Sequence, residues 1–215
     1  MAANLRSAAV WPVDRRHPDW PRIRLAAAAI RQGEVIAIPT DTVYGLAGDP
    51  FRPAVVKRIF RIKGRAKDQP ILLLIASLDQ LPALVRDVPA VFRSIAAQFW
   101  PGPLTIILPA SKRVPREVTG DTGTVALRWP AAVLTQAIIR EAGRPVTGTS
   151  ANRSGRQAAV TAAEVERELG RRVYAIVDGG RARTRLPSTI LDLTGKPRLV
   201  REGALPAARL AAYLR

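Results

Sequence analysis

Short apolar runs that end in loops of small and hydroxyl residues most constrain the fold of this chain. Residues 35–38 (Val-Ile-Ala-Ile) precede the loop Pro-Thr-Asp-Thr-Val-Tyr-Gly-Leu at 39–46, and a strand-like segment at 145–146 precedes Ser-Ala-Asn-Arg-Ser-Gly at 150–155. Such runs predict buried strands, and loops at strand ends carry chemistry in α/β enzymes because a rigid scaffold holds them. We therefore predict that these loops share one substrate pocket.

Stretches with helical spacing alternate with the apolar runs. Residues 22–31 repeat Ile and Ala at helical spacing before Gly33, a typical helix end, and Pro53 opens a second helix that reaches Lys63. A Thr-x-x-Glu capping box opens a helix at 161–169. The continuous apolar run at 71–75 predicts a fully buried strand. Further helices are predicted at 89–99, at 134–141 and from Pro206, and further strands at 104–108, 125–127, 174–177, 189–193 and 198–200.

The strands alternate with helices at first and then cluster near the end of the chain. This order predicts an α/β fold with a mixed, parallel and antiparallel, sheet rather than a purely parallel one. The length of 215 residues suits a single domain, 1–215, in which 1–20 form a flexible N-terminal extension and 179–187 a mobile loop. No apolar run is long enough to span a bilayer, and residues 1–20 lack the apolar stretch of a signal peptide. We predict a cytoplasmic protein with no membrane partner.

The residue inventory excludes several kinds of active site. The chain has no Cys and a single His, His17, so disulfides, thiolate ligands, a histidine metal cluster and a Ser-His-Asp triad are all excluded. It has neither a P-loop motif nor a Gly-x-Gly-x-x-Gly motif after a strand. If a nucleotide binds, side chains must hold its phosphates, and we predict no metal ligands from the protein itself.

The net charge of +17, from 34 basic and 17 acidic residues, has two explanations. A basic surface favours polyanionic partners such as nucleotides or RNA. Alternatively, the excess of Arg over Lys and the abundance of Ala reflect the codon usage of a GC-rich genome. Composition alone leaves both explanations open.

Three motifs supply candidate ligands, each beside a plainer interpretation. Lys63 and Arg65 could bind phosphate together if the chain turns at Gly64. Without a turn, side chains two residues apart on a helix point in different directions. The alternative is a solvated basic helix end. Ser150 and Asn152 offer a hydroxyl and an amide, or form an ordinary turn. Arg128 closes a strand and suits a carboxylate, or forms a salt bridge at the rim.

Taken together and in this order, the motifs resemble those of the YrdC/TsaC-type threonylcarbamoyl-AMP synthase family. Lys63-x-Arg65 and Ser150-x-Asn152 match its signatures, and the resemblance runs from about residue 33 to residue 203. It implies a YrdC-like fold, in which a twisted mixed sheet and flanking helices surround a concave basic groove. It also implies a nucleotidyltransferase that condenses L-threonine, bicarbonate and ATP, with Mg²⁺, to threonylcarbamoyl-AMP and pyrophosphate.

The resemblance also implies roles for individual residues. Lys63, Arg65, Ser150 and Asn152 would serve catalysis and bind the nucleotide, with Arg201. The residues that would bind the substrates are Thr40, Tyr44, Thr124, Arg128 and Ser188. Among them, Thr40 would contact threonine, Thr124 would lie beside ATP and Arg128 would bind the threonine carboxylate. A separate transferase would use the product to modify tRNA, and weak binding of tRNA or double-stranded RNA is a further expectation.

Two positions depart from the family's pattern. Asp41 stands where many relatives have Glu, and Ala-Ala-Val at 158–160 replaces the usual Ser-Pro-Thr, so one hydroxyl that would touch phosphate is missing. Two alternatives to the synthase remain. One is a non-catalytic RNA-binding or ribosome-assembly factor, which the aromatic content of 5% disfavours. The other is the carbamoyl-transfer domain of hydrogenase-maturation proteins, which normally belongs to much longer chains.

Overall fold

Two mixed β-sheets form the frame of the computed structural model, which describes residues 7–14, 17, 19–66 and 69–214. The strands in these ranges are β1 Ala9–Pro12, β2 Ile36–Ile38, β3 Gly45–Ala47, β4 Leu73–Leu74, β5 Leu104–Pro109, β6 Thr124–Arg128, β7 Val146–Thr147, β8 Thr149–Ser150, β9 Ala175–Asp178, β10 Thr189–Asp192 and β11 Arg198–Arg201. The helices are α1 Trp20–Gln32, α2 Pro53–Lys63, α3 Leu81–Leu84, α4 Ala90–Phe99, α5 Arg116–Thr119, α6 Val133–Ala142 and α7 Ala162–Leu169, with 3₁₀ turns at Leu78–Gln80 and Ala207–Tyr213.

Each sheet combines parallel and antiparallel pairs. The first has the order β1-β9-β2-β3-β8, in which β1, β9 and β2 run parallel and β3 is antiparallel to both neighbours. The second has the order β11-β10-β5-β6-β4-β7, with parallel pairs at β10/β5 and β6/β4. The predicted mixed sheet is confirmed, and the strands are divided between two sheets.

Local signals account for the long helices. In α1 the Asp19 side chain accepts from the Arg22 N–H, and Gly33 ends the helix in the left-handed region at φ 91°. In α2, Pro53 occupies the first turn and Gly64 ends the helix at φ 61°. Thr161 caps α7 through the Glu164 N–H, while the Glu164 carboxylate accepts from the Val160 N–H. These helices begin and end within two residues of the predicted bounds.

Two short strands were not predicted, and a third is shorter than predicted. Ala9–Pro12 forms β1 beside β9, so the flexible extension predicted at 1–20 does not hold for these four residues; residues 1–6, 15, 16 and 18 lie outside the described ranges. Gly45–Ala47 forms β3, although its glycine resembles a turn signal. Of the apolar run at 71–75, only Leu73–Leu74 pairs as a strand.

Two apolar clusters hold the layers together. One packs α1 and α6 against the first sheet and includes Ile23, Ile30, Ile38 and Ile138. The larger one combines residues of both sheets with α2 and α4. Residues of β3, β8 and the second sheet that lie outside this cluster line a cavity between the sheets. Among the described residues, no helix has the length and apolar content needed to cross a bilayer.

Candidate functional site

A cavity of about 480 Å³ lies between the two sheets. The first sheet contributes the loop between β2 and β3 and the strand β8, and α2 contributes its C-terminal end. The second sheet contributes β5, β6, β10 and β11. Nine of the ten predicted site residues line this cavity: Thr40, Tyr44, Lys63, Arg65, Arg128, Ser150, Asn152, Ser188 and Arg201.

Lys63 lies buried at the end of α2 rather than on an exposed loop. Only 5% of the residue is exposed, and its ammonium donates to the carbonyls of Ser150 at 2.5 Å and Asn152 at 2.8 Å. The alternative of a solvated basic helix end is therefore wrong for Lys63, and backbone acceptors of the neighbouring loop compensate the buried charge. Burial lowers the pKa of Lys63 from 10.5 to about 8, with Arg65 contributing and Glu168 opposing the shift.

Arg65 reaches the same cavity because the chain turns at Gly64. The Arg65 N–H bonds back to the Phe60 carbonyl at 3.1 Å, which closes the helix. Its guanidinium donates from Nε to the side chain of Gln69 and from Nη2 to the Pro70 carbonyl at 3.2 Å. Burial lowers the pKa of Arg65, which remains charged. Two cations that would diverge on a continuous helix thus converge.

The loop after β8 holds Ser150 and Asn152 against Lys63. The Ala151 N–H donates to the Tyr44 carbonyl at 2.8 Å, and the Ser154 N–H donates to the Lys63 carbonyl at 2.8 Å. The Asn152 amide nitrogen donates to the carbonyls of Arg153 and Arg156. Within the described chain its Oδ1 is buried without a hydrogen-bond partner. A ligand that donates a hydrogen bond would satisfy this oxygen.

Arg128 forms a buried ion pair with the protein's own Asp41. Its Nη2 donates to Asp41 Oδ1 at 2.6 Å, Nη1 donates to Thr42 Oγ1 at 2.7 Å, and Nε donates to the Gly102 carbonyl at 2.9 Å. Both charged side chains are less than a tenth exposed, so the predicted alternative of a rim salt bridge is wrong. A guanidinium has five N–H groups, so these three bonds leave two for a ligand. Burial lowers the pKa of Arg128, and Asp41 opposes that shift.

The hydroxyl groups of the loop between β2 and β3 are already engaged. Thr40 Oγ1 donates to the Val43 carbonyl at 2.6 Å, and the Tyr44 hydroxyl donates to the Gly180 carbonyl at 2.7 Å. Tyr44 is fully buried, and its hydroxyl anchors the loop that follows β9. The residue lines the cavity, and its contact with a substrate stays a prediction.

Ser188 and Arg201 close the cavity on the side of the second sheet. The Ser188 hydroxyl shares a hydrogen bond of 2.7 Å with Thr105 Oγ1. Arg201 donates from Nη2 to the Ser188 carbonyl at 2.8 Å, and burial lowers its pKa. Arg201 is therefore a fourth cation of the cavity wall, beside Lys63, Arg65 and Arg128.

Thr124 is the predicted residue that the structure does not bring to the cavity. It lies on the same face of β6 as Arg128 but four residues away, which is about 13 Å along a strand. Its hydroxyl bonds that of Thr122 at 2.9 Å, and Ala126 takes its place in the cavity wall. A sequence motif places residues in order but does not say where along a strand a cavity ends.

Several residues of the site went unrecognised in the sequence. Gly102, in the Pro-Gly-Pro segment at 101–103, accepts a hydrogen bond from Arg128, and Trp100 donates to the Leu104 carbonyl at 2.6 Å. Gly148 lets the chain pass Leu74, since a Cβ there would lie 2.5 Å from that side chain. Thr105 of β5 also lines the cavity.

The cavity wall combines four cations with many hydroxyl groups, and its residues include no carboxylate. No group of three or more His, Cys, Asp or Glu residues in the described ranges could hold a metal ion. Such a wall suits an anion with several phosphates, because fixed positive charges and hydroxyl donors stabilise phosphate oxygens.

Comparison with known proteins gives a coherent set of relatives. The family model named for Sua5, YciO and YrdC, described as "Telomere recombination", matches residues 28–203. A threonylcarbamoyl-AMP synthase of Pyrococcus abyssi is 43% identical over 90% of this chain and 57% of its own length, so the chain spans little more than half of that relative. A threonylcarbamoyl-AMP synthase of Halorhodospira halophila is 40% identical over 80% of this chain and 90% of its own.

Among solved structures, P. abyssi Sua5 complexed with L-threonine superposes with a TM-score of 0.93. It is 39% identical, and the match covers 96% of this chain and 61% of that one. The mixed-sheet fold expected from the sequence is thereby confirmed.

Proposed function

This chain belongs to the Sua5, YciO and YrdC family, and on that premise we propose that it is a threonylcarbamoyl-AMP synthase. The observation that carries the proposal is the cavity wall, which sets Lys63, Arg65 and Arg201 around one space and a partly free Arg128 guanidinium within it. The relatives' names agree with this chemistry, and the related Sua5 structure contains L-threonine.

The proposed reaction joins three substrates in two steps. The threonine amine attacks bicarbonate, and loss of water gives the carbamate. A carbamate oxygen then attacks the α-phosphorus of ATP, and the bond to the bridging oxygen breaks to release pyrophosphate. The protein provides no covalent nucleophile in this scheme, so its contribution is positioning and charge neutralisation.

Each side of the cavity has a role in this scheme. Lys63 and Arg65 neutralise charge on the triphosphate, and Arg201 does so from the opposite wall. The free N–H groups of Arg128 bind the threonine carboxylate next to Asp41. Ser150 and Asn152 orient the carbamate and the nucleotide, and the unpaired Asn152 Oδ1 accepts a hydrogen bond from the ligand.

Mg²⁺ would enter with ATP. A cation of this kind needs oxygen ligands, and the wall provides hydroxyl groups of Thr and Ser but no carboxylate. The phosphates and water would therefore hold Mg²⁺, which would offset phosphate charge. No protein side chain is assigned as its ligand.

The product and the net charge indicate further partners. Threonylcarbamoyl-AMP is an activated acyl group, so a separate transferase must pass it to tRNA. A chain with a charge of +17 is also expected to bind RNA weakly. A reaction that serves tRNA modification supports the proposal of a cytoplasmic protein.

The test is release of pyrophosphate from ATP in the presence and absence of each co-substrate. We expect release only when threonine and bicarbonate are both present, because the carbamate must form before the α-phosphorus is attacked. Detection of the adenylate by mass spectrometry identifies the product. Equal release with ATP alone would indicate a plain ATPase, and no turnover under any condition would favour the non-catalytic RNA-binding factor.

A further inference from the structure

A second large concave surface lies on the other side of α2 from the catalytic cavity. This groove of about 1010 Å³ runs between α2, the end of α7 and the start of β1. It has no wall residue in common with the catalytic cavity, although Ile62 of the groove and Lys63 of the cavity are neighbours on α2. We call it the arginine groove, after Arg61, Arg167, Arg171 and Arg172.

These four arginines have no counter-charge of their own. All four side chains are exposed, and none forms an ion pair with the rest of the described chain. The fifth arginine of the wall, Arg58, is neutralised by Glu34 at 2.7 Å. The two acids of the groove accept only from uncharged donors and keep their negative charges: Glu166 accepts from Ser7 Oγ, and Glu168 accepts from the Arg153 N–H at 2.6 Å. With four unpaired arginines against these two carboxylates, the groove presents a net positive field to solvent.

Two aromatic rings lie among these charges. Tyr174 is 46% exposed and meets Trp11 edge-to-face, with ring centroids 6.2 Å apart. Trp11 is buried and fixes the orientation of the tyrosine ring from behind. An exposed, supported aromatic ring among arginines offers a base a stacking surface while the guanidinium groups bind phosphates.

We propose that the arginine groove binds a single-stranded segment of RNA, with a base stacked on Tyr174 and phosphates on the four arginines. Unpaired nucleotides are favoured over a duplex because a base inside a helix cannot present its face to Tyr174. An acidic protein segment would satisfy the charges but would gain nothing from the aromatic ring. This inference rests on RNA as a partner of the proposed function, but it does not require that the chain synthesise the adenylate.

The test is fluorescence anisotropy with a labelled RNA 12-mer of mixed sequence, titrated at several salt concentrations. The groove variant is Arg171→Ala with Arg172→Ala. Its matched control, Arg24→Ala with Arg93→Ala, removes two exposed arginines from α1 and α4 and lowers the net charge by the same two units. We expect the groove variant to bind at least about 10-fold more weakly at low salt and the control less than about 3-fold. The slope of log K against log salt should fall by about 1.4, since each phosphate contact to a single strand contributes about 0.7.

A second pair of variants tests the stacking. Tyr174→Phe should retain the affinity, whereas Tyr174→Leu should lose about 5-fold or more, because stacking on an aromatic ring contributes about 1–3 kcal/mol per base. Melting temperatures show whether each variant is folded. If the two arginine pairs weaken binding equally, or if a glutamate decamer competes as well as RNA and Tyr174→Leu has no effect, the proposal is overturned. Adenylate synthesis is measured on the same samples, so that failure of the RNA-binding proposal can be distinguished from failure of the proposed synthase function.

Discussion

At the scale of single residues, the most unusual group of the site is the buried ammonium of Lys63. Carbonyls of the loop after β8 accept its hydrogen bonds, yet burial and the neighbouring Arg65 lower its pKa to about 8. The free enzyme therefore holds Lys63 mostly charged below pH 8 and mostly neutral above it. A residue that neutralises phosphate must be charged, so loss of the Lys63 proton should weaken ATP binding.

We expect kcat/KM for ATP to fall as the pH rises through about 8, because kcat/KM reports groups of the free enzyme. In Lys63→Arg the guanidinium keeps its charge, so this descending limb should disappear even if activity is lower overall. The measurement is a pH profile of both proteins at saturating threonine and bicarbonate, and the comparison cancels effects on those substrates. A rise in wild-type kcat/KM through pH 8 would instead make Lys63 a base.

The same pKa predicts the pH dependence of stability. The unfolded chain binds the Lys63 proton more tightly than the folded chain, since the pKa of an unperturbed lysine is near 10.4. The free energy of unfolding should therefore gain a contribution from Lys63 as the pH rises from about 8 to about 10.5. Denaturant unfolding at pH 7.5 and pH 10 measures this gain, and Lys63→Met should not show it.

Arg128 is the residue on which threonine binding is proposed to depend. Its guanidinium bonds to Asp41, Thr42 and Gly102 and keeps two N–H groups for a ligand. Arg128→Lys should raise the KM for threonine by about 10-fold or more, since an ammonium cannot reproduce the bidentate fork. The KM for ATP should change less than about 2-fold. Steady-state kinetics at varied threonine and then varied ATP measure both values. Loss of ATP affinity with threonine affinity intact would move Arg128 to the nucleotide side.

Asp41→Asn removes the charge that compensates Arg128 and keeps the shape. Breaking a buried pair costs about 3 kcal/mol, so the variant should melt at a lower temperature. If the threonine carboxylate binds Arg128, threonine should restore part of this loss and raise the melting temperature more than it does for the wild type. Thermal shift with threonine and with threonine amide distinguishes the carboxylate from the rest of the ligand. Equal shifts in both proteins would contradict the assignment.

At the scale of elements, the end of α2 decides whether the site forms. Lys63 is the last residue of the helix, Gly64 turns the chain in the left-handed region, and Arg65 then points to the same cavity. Without that turn, the two side chains would lie about 200° apart around the helix. The helix end also places Lys63 and Arg61 where the helix dipole favours cations.

Gly64→Ala should destabilise the protein by about 1 kcal/mol, because a left-handed conformation is strained for a residue with Cβ. No atom lies within 4 Å of the added methyl group, so the cost is conformational and not steric. Gly195→Ala is the matched control, since its added methyl group also meets nothing and its backbone is not left-handed. Denaturant unfolding measures both variants. Equal stability of the two would mean that the turn is not strained.

At the scale of the whole molecule, the positive charges occupy two different environments, a cavity between the two sheets and a groove on the surface. The catalytic cavity binds its anions through short, partly buried contacts, whereas the arginine groove faces solvent. Salt screens exposed charges more strongly than buried ones. The two sites should therefore differ in their response to ionic strength.

We expect adenylate synthesis to persist at salt concentrations that abolish RNA binding. A salt titration of both activities on one preparation measures this, and sodium chloride at constant Mg²⁺ keeps the nucleotide complex unchanged. RNA binding that survives high salt with clear sequence preference would indicate that the surface charge is part of a specific recognition site. Parallel loss of both activities would place them at one shared surface.

The sequence by itself determined the features that depend on local interactions. Helices α1, α2 and α7 were predicted because apolar spacing, proline at the first turn and glycine at the end act within a few residues. The family motifs likewise selected ten residues of which nine line the cavity, because residue type and order are properties of the chain.

Only the tertiary structure decided what depends on distant partners. It buried Lys63 against carbonyls 87 and 89 residues away, paired Arg128 with Asp41 and engaged the Tyr44 hydroxyl. It also paired β1 with β9, which brought Trp11 beside Tyr174. No local pattern records such contacts, because burial, charge compensation and strand pairing are set by groups that meet only when the two sheets pack.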